Sequence, residues 1–207
     1  MEGFALTTER LEIVPMSIDY AALYWEYHQK NFAQFSDYLP YDSDSAPEFD
    51  DLMRDIEVEK QMLKSNRAVR FLAFEKERKE EKGTFCVDSH VGLDEDKIIG
   101  DVFLYNMIFG YSNSCHIAYT VDRAKQQRGM AKEMCNAIID YAFTSIGLNR
   151  IEINCYKENI ASINTALALG ARYEGISYQL MKLKGRWLDM ERYSILADSW
   201  AKQNINQ

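Results

Sequence analysis

Val121-Asp122-Arg123-Ala124-Lys125-Gln126-Gln127-Arg128-Gly129-Met130-Ala131 decides how the chain reads. Upstream, Ser114 to Val121 alternates Cys115, Ile117, Tyr119 and Val121 with His116, Ala118 and Thr120, the period of two of a half-buried strand. Downstream, Met130, Met134, Ala137, Ile138, Tyr141 and Ala142 recur at helical spacing and form one apolar stripe. A strand therefore passes through a short polar turn into a helix that starts near Gln127 or Arg128. The first turn of such a helix offers free backbone N–H groups and a positive dipole end. Gly129 and Ala131 are small enough to let an anion approach the backbone, and Arg123, Lys125, Arg128 and Lys132 place four cations around it. This is the pattern of a phosphate cradle. A tight turn that needs Gly129 for its backbone alone is the competing reading. No Gly-Lys-Ser/Thr follows, so this is not a nucleoside-triphosphate loop, and the three spaced glycines of a dinucleotide fingerprint are absent.

Composition narrows the class. The 207 residues suit one domain over 1–207, and 47% apolar residues can build a sizeable core. A formal net charge of −8 argues against nonspecific nucleic-acid binding, which needs a basic face. An acidic protein that holds a phosphorylated ligand suits a cationic acceptor. Cys86, Cys115, Cys135 and Cys155 are widely spaced with no metal-ligand pattern, so no metal is expected and buried free thiols are the simpler state. That state fits a reducing compartment. No signal peptide and no membrane-length apolar run is found, so a soluble, cytoplasmic protein is expected, either monomer or homodimer.

Taken in order, Arg10 to Met16 has strand character, and Ser17 caps a helix that runs to about Lys30. Asn31 to Ala46 is irregular and rich in aromatic and acidic residues. Pro47 fits the first turn of a second helix ending near Asn66, with Phe49, Leu52, Met53, Ile56 and Met62 or Leu63 inward. Arg67 to Phe74 is a strand. Glu75 to Lys82 is charged throughout and reads as a solvated hairpin tip, part of an insertion over about 75–96, with Thr84 to Val91 as its possible return. Lys97 to Tyr105 and Ser112 to Val121 form antiparallel neighbours. The central helix stops before Gly147, and Arg150 to Cys155 is a strand. Asn159 caps a helix that stops at Gly170, and two strands, Ala171 to Leu183 and Trp187 to Ala197, close the chain. The order describes a mixed α/β sheet.

Several of these segments together resemble the GNAT acetyltransferase superfamily. Gln126-Gln127-Arg128-Gly129-Met130-Ala131 is similar to its pyrophosphate-binding loop. Gly147-Leu148-Asn149-Arg150-Ile151-Glu152, Asn159-Ile160-Ala161-Ser162, Leu169-Gly170-Ala171-Arg172-Tyr173-Glu174-Gly175 and Gly185-Arg186-Trp187-Leu188-Asp189 resemble the branch containing ribosomal-protein N-terminal (alanine/serine) acetyltransferases. The resemblance implies an α/β fold with a mixed, mostly antiparallel, splayed central sheet of seven strands, flanked by about four helices. It implies acetyl-CoA as co-substrate in the splay, its pyrophosphate on Gln126, Gln127, Arg128, Gly129, Met130, Ala131 and Lys132. The pantetheine arm would then run along Tyr119, Thr120 and Val121, with Asn159 and Ser162 at its end. Asn159 serves equally well as a helix N-cap, and both roles are compatible.

The implied reaction moves an acetyl group to a primary amine by direct attack. It needs a base for the amine, donors for the acyl oxygen and an acid for the departing thiolate. A backbone N–H near Ala118–Thr120 can serve the oxygen. Ser162 matches the branch's serine that serves the thiolate, unless it is only a polar first-turn residue. The tyrosine acid that many relatives carry is missing from Ala166 to Leu169. His116 occupies the position where the branch often has a glutamate base, and it is either that base or a structural strand residue. A water chain ending at Glu152 or Asp101 is the alternative. Asp37 to Asp55 contains seven acids and one base, Arg54, which reads as a solvated acidic loop or as a funnel for a cationic amine. Phe32, Phe35, Tyr38 and Tyr41 would wall that pocket or anchor the loop. A protein N-terminal amine is the leading acceptor; a polyamine, amino acid or aminoglycoside, or a CoA-binding regulatory domain without catalysis, are the alternatives.

Overall fold

The computed structural model describes residues 4–41, 45–76 and 98–204. Its alternating stretches assemble into one eight-stranded sheet: β1 (Leu6–Thr7), β2 (Leu11–Pro15), β3 (Val69–Glu75), β4 (Ile98–Ile108), β5 (Ser114–Val121), β6 (Arg150–Tyr156), β7 (Arg172–Leu183) and β8 (Arg186–Leu196). The spatial order is β1-β2-β3-β4-β5-β6-β8-β7. Every neighbouring pair is antiparallel except β5 and β6, which run parallel. Five α-helices accompany the sheet: α1 (Ala21–Phe35), α2 (Phe49–Lys64), α3 (Met130–Thr144), α4 (Ile160–Ala168) and α5 (Ala197–Asn204).

Strand periodicity sends alternate residues to two cores. On one face Phe71, Val102, Leu104, Ile117, Ile151 and Ile153 pack against Met134, Cys135, Ile138, Ile139 and Ala142 of α3. On the other, Leu72, Phe74 and Ile98 meet Tyr24, Tyr27 and Phe35 of α1 and Leu52 and Ile56 of α2. The sheet is thus covered on both sides and its central strands are buried.

Several boundaries differ from the sequence reading. The central helix begins at Met130, not near Gln127, because Gln127 (φ 59°) and Gly129 (φ 75°) both take the left-handed conformation, which a right-handed helix cannot pass through. A 3₁₀ turn over Arg123–Lys125 precedes it, capped by the Asp122 carboxylate, which accepts from the Ala124 N–H at 2.7 Å. The sheet has eight strands rather than seven because Leu6–Thr7 adds a short outer pair to β2. Ser17 caps a 3₁₀ turn (Ile18–Tyr20), after which α1 continues past Lys30 to Phe35. Pro47 precedes α2, whose N-cap is Glu48. Phe49, expected inward, is exposed; of the pair Met62 or Leu63 it is Leu63 that packs against the core, and Leu52 and Ile56 are buried. The last strand ends at Leu196 and gives way to α5, whose Trp200 is buried against Phe143. The hairpin tip beyond Glu75, the return over Thr84 to Val91, and Cys86 lie outside the described residues. No helix among the described residues is long and apolar enough to cross a membrane.

Gly100 permits the close approach of β4 and β5. A Cβ there would collide with the backbone carbonyl oxygen of Thr120. Gly100→Ala is therefore expected to lower stability by about 2 kcal/mol or more, as overpacking against backbone does. A urea midpoint unchanged from wild type would show that the two strands part without cost.

Candidate active site

The parallel pairing of β5 and β6 joins only Ser114, Cys115 and His116 to Arg150, Ile151 and Glu152. Beyond those residues β5 stays with β4 and β6 with β8, so the sheet opens into a V. A cleft of about 1880 Å³ occupies it. One wall carries Tyr119, Thr120, Val121 and the turn into α3; the other carries Glu152, Asn154 and the start of α4.

At one end lies the α3 N-terminus. The backbone N–H groups of Gln127, Arg128, Met130, Ala131 and Lys132 have no partner among the described residues. Gly129 leaves the approach open, since a Cβ there would meet nothing within 4 Å except an Arg10 nitrogen at 3.6 Å. Arg123, Lys125 and Lys132 line the cleft, but Lys125 also pairs with Glu75 at 2.7 Å. Arg128, expected among the cations, does not line the cleft. Its carbonyl is instead held from behind by the Arg10 guanidinium, which donates to it at 2.9 Å. The same guanidinium donates to Glu133 of the first α3 turn at 2.6 Å, and the Arg10 N–H and Thr8 hydroxyl engage that carboxylate at 2.9 and 2.5 Å. This clamp has no signature in the sequence, because its halves are 123 residues apart.

At the other end Asn159 caps α4, its side-chain oxygen accepting from the Ser162 N–H at 3.0 Å. That cap fixes Ser162, whose Oγ lies 3.2 Å from both the Tyr119 hydroxyl and Cys155 Sγ. Tyr119 also donates to the Ser162 carbonyl at 3.1 Å, so a β5 side chain spans the cleft to α4. Burial raises the pKa of both Tyr119 and Cys155, which keeps both groups protonated at neutral pH.

His116 and Glu152 face each other where the V closes. His116 Nε2 is 3.7 Å from the Glu152 carboxylate, and Nδ1 has no partner. Burial lowers the His116 pKa, only partly opposed by Glu152, so the imidazole is neutral near pH 7. Glu152 also receives Arg150 Nε at 3.0 Å and Arg192 at 2.5 Å. Burial would raise its pKa, but these two guanidinium bonds outweigh that and hold it below the usual range. Glu152 is thus a fixed anion beside His116 and a poor proton acceptor itself. Asp101 is equally committed: Arg70, the Thr120 hydroxyl and the Tyr24 hydroxyl all bind it.

On the α1–α2 side, Phe35, Tyr38 and Tyr41 line the cleft, whereas Phe32 packs behind on Tyr41. Among the described acids of the 37–55 connection, only Asp37 and Asp55 reach the cleft, and Asp37 pairs with Lys184 at 2.9 Å. Asp51 pairs with Arg54 on the surface of α2. Asp42 and Asp44 lie outside the described residues. The cleft therefore gathers Tyr119, Thr120, Val121, Gln126, Gln127, Gly129, Met130, Ala131, Lys132, Asn159, Ser162, His116 and Glu152. The sequence reading passed over Gln34, Arg70 and Asn154, which line it too. Asn154 was the findable one, being two residues beyond Glu152 on the polar side of an alternating strand.

A family model described as an acetyltransferase (GNAT) domain matches residues 10–172. The chain belongs to the GNAT acetyltransferase family. One GNAT relative, the probable N-acetyltransferase YjcK of Bacillus subtilis, is 32% identical over 110 residues, 52% of this chain and 61% of that protein. Less than two thirds of that relative's length is thus spanned. The solved ribosomal-protein-S5-alanine acetyltransferase of Vibrio fischeri shares the fold at a TM-score of 0.79 and 22% identity, over 95% of this chain and 98% of that one. The spermidine N-acetyltransferase of Vibrio cholerae, solved with CoA and spermine, does so at 0.71 and 20%, over 94% and 99%. Within this GNAT site, Glu152→Gln removes the one neighbour that raises the His116 pKa and leaves Arg150 and Arg192, which lower it. The His116 titration followed by NMR is expected to move to lower pH in the variant; a move upward contradicts the geometry.

Proposed function

We propose that the chain is an acetyl-CoA-dependent N-acetyltransferase whose acceptor is a protein or peptide N-terminal amine. The observation that carries this reading is the single cleft in which free α3 amides stand at one end and the Ser162 hydroxyl at the other, beside the open edge of β5. The residues suit CoA. Helix-start N–H groups and Lys132 suit the two phosphates, and the unpaired β5 edge beyond His116 suits the amides of the pantetheine arm. Bound there, acetyl-CoA supplies the thioester.

The chain's own groups have three tasks. His116, neutral and with Nδ1 unpartnered, takes the proton of the attacking amine. Backbone N–H groups on the β5 edge near Ala118–Thr120 serve the acyl oxygen as the nitrogen–carbon bond forms. Ser162 donates a hydrogen bond to the thiolate as the carbon–sulfur bond breaks and keeps its proton; its Oγ is held by Tyr119 and Cys155. Asn159 positions Ser162 through its cap. The solved S5-alanine acetyltransferase supports a protein acceptor, and the spermidine enzyme makes a small amine the second reading.

Thiol release with an amine panel tests this: turnover of N-terminal peptides is expected, and turnover of small amines alone favours the second reading. CoA binding without turnover of any amine contradicts both. Gly129→Glu forces a side chain onto a left-handed residue and sets its Cβ 3.6 Å from the Arg10 guanidinium that holds the turn. It is expected to abolish CoA binding in calorimetry, and retained affinity removes the loop assignment. Ser162→Ala is expected to slow turnover by about one to two orders of magnitude, the scale of one hydrogen bond to a charged group. An unchanged rate makes Ser162 a helix-cap residue only.

A further inference from the structure

Buried polar atoms in a folded protein are normally hydrogen-bonded, so each exception calls for a physical account. Among the described residues four buried side-chain atoms have no partner: His28 Nε2, Gln34 Oε1, His116 Nδ1 and Asn154 Oδ1. All four residues line the same cleft. His116 is accounted for above, and His28 is enclosed by the rings of Tyr24, Phe35 and Tyr41 and bonded to the Tyr41 hydroxyl at 3.0 Å. Gln34 and Asn154 remain. Gln34 comes from the last turn of α1, and Asn154 from β6 just beyond the last residue paired with β5.

Three of the five described carboxylates that line the cleft are already paired within the protein, and Asp55 and Glu158 line it beside them. Asp101 is neutralised by Arg70, Glu152 by Arg150 and Arg192, and Asp37 by Lys184. A polyamine presents several ammonium groups and needs carboxylates with charge to spare. A peptide amino terminus presents one amine, followed by amide N–H and C=O groups at regular spacing. Neutral carboxamides, each both donor and acceptor, match the alternating N–H and C=O groups of a peptide.

We infer that Gln34 and Asn154 are specificity-determining residues that hydrogen-bond the backbone of an extended peptide acceptor. The inference rests on the acetyltransferase reading above. Gln34 and Asn154 act by holding the acceptor's first peptide groups while its amine reaches His116. Because their bonds are to uncharged groups, their loss weakens acceptor binding without touching the thioester side.

The experiment measures steady-state kinetics of wild type, Gln34→Leu and Asn154→Leu with three acceptors. These are an alanine-initiated tripeptide, its analogue with an ester oxygen in place of the first amide N–H, and spermidine. Thermal unfolding and CoA affinity confirm that each variant is folded and that its thioester side is intact. The expected result is a peptide KM raised about tenfold in each variant, the scale of one neutral hydrogen bond, with the KM for acetyl-CoA unchanged. The ester analogue should bind wild type more weakly than the amide, and this penalty should vanish in one of the two variants. Peptide turnover with an unchanged peptide KM in both variants overturns the assignment of Gln34 and Asn154 while the acetyltransferase reading stands. Faster turnover of spermidine than of peptide overturns the acceptor class. Absence of turnover with any amine overturns the acetyltransferase reading itself and this inference with it.

Discussion

Parallel pairing between β5 and β6 stops at His116 and Glu152, and the rest of the site depends on where it stops. Strand edges in a sheet interior normally satisfy each other's N–H and C=O groups. Here β5 keeps its bonds to β4 as far as Val121 while its other edge beyond His116 faces the cleft. A sheet that is closed at one end and open at the other creates a slot lined by unpaired backbone, with α1 and α2 over one face and α3 and α4 over the other. The turn into α3 lies at the mouth of that slot, and the His116–Glu152 contact lies at its base.

Rigid surroundings keep the slot open. Arg10 and Thr8 fasten Glu133 and the Arg128 carbonyl, so the left-handed Gly129 turn is held from outside and the helix-start amides stay aimed inward. Asn31 of α1 accepts from the Arg123 N–H at 3.0 Å and ties the same loop to the opposite layer. Beneath α1, Asp101, Arg70, Glu59, Tyr24, Thr120 and Tyr27 form one connected polar group. Such buried ion pairs add little net stability, but breaking one leaves a charge without a partner, so they fix geometry. Their effect here is to lock β4 and β5 against α1 and α2 while using up charge that an acceptor would otherwise meet.

Local chemistry was legible in the chain and long-range chemistry was not. The alternation of residues 114–121 and the stripe from Met130 to Ala142 identified strand, turn and helix, because both periods are local. The Asn159 cap was readable for the same reason, as its bond spans three residues. The start of α3 was misplaced because nothing in Gln127 announces a left-handed backbone. The acids of residues 37–55 read as a solvated loop or as a funnel, and most of those described serve the surface and first turn of α2, a choice that composition alone cannot make. The Arg10 clamp, the Tyr119–Ser162 bond and the Arg70–Asp101 pair join residues far apart in sequence, and no spacing rule reaches them.

A crystal structure of the chain grown with CoA is the most direct test of the central claim. The account predicts phosphate oxygens against the amides of residues 127–132 and the pantetheine arm hydrogen-bonded along the free edge of β5, with its sulfur near Ser162 Oγ. CoA density outside the V, or β5 and β6 paired to their ends with no ligand between them, would contradict it.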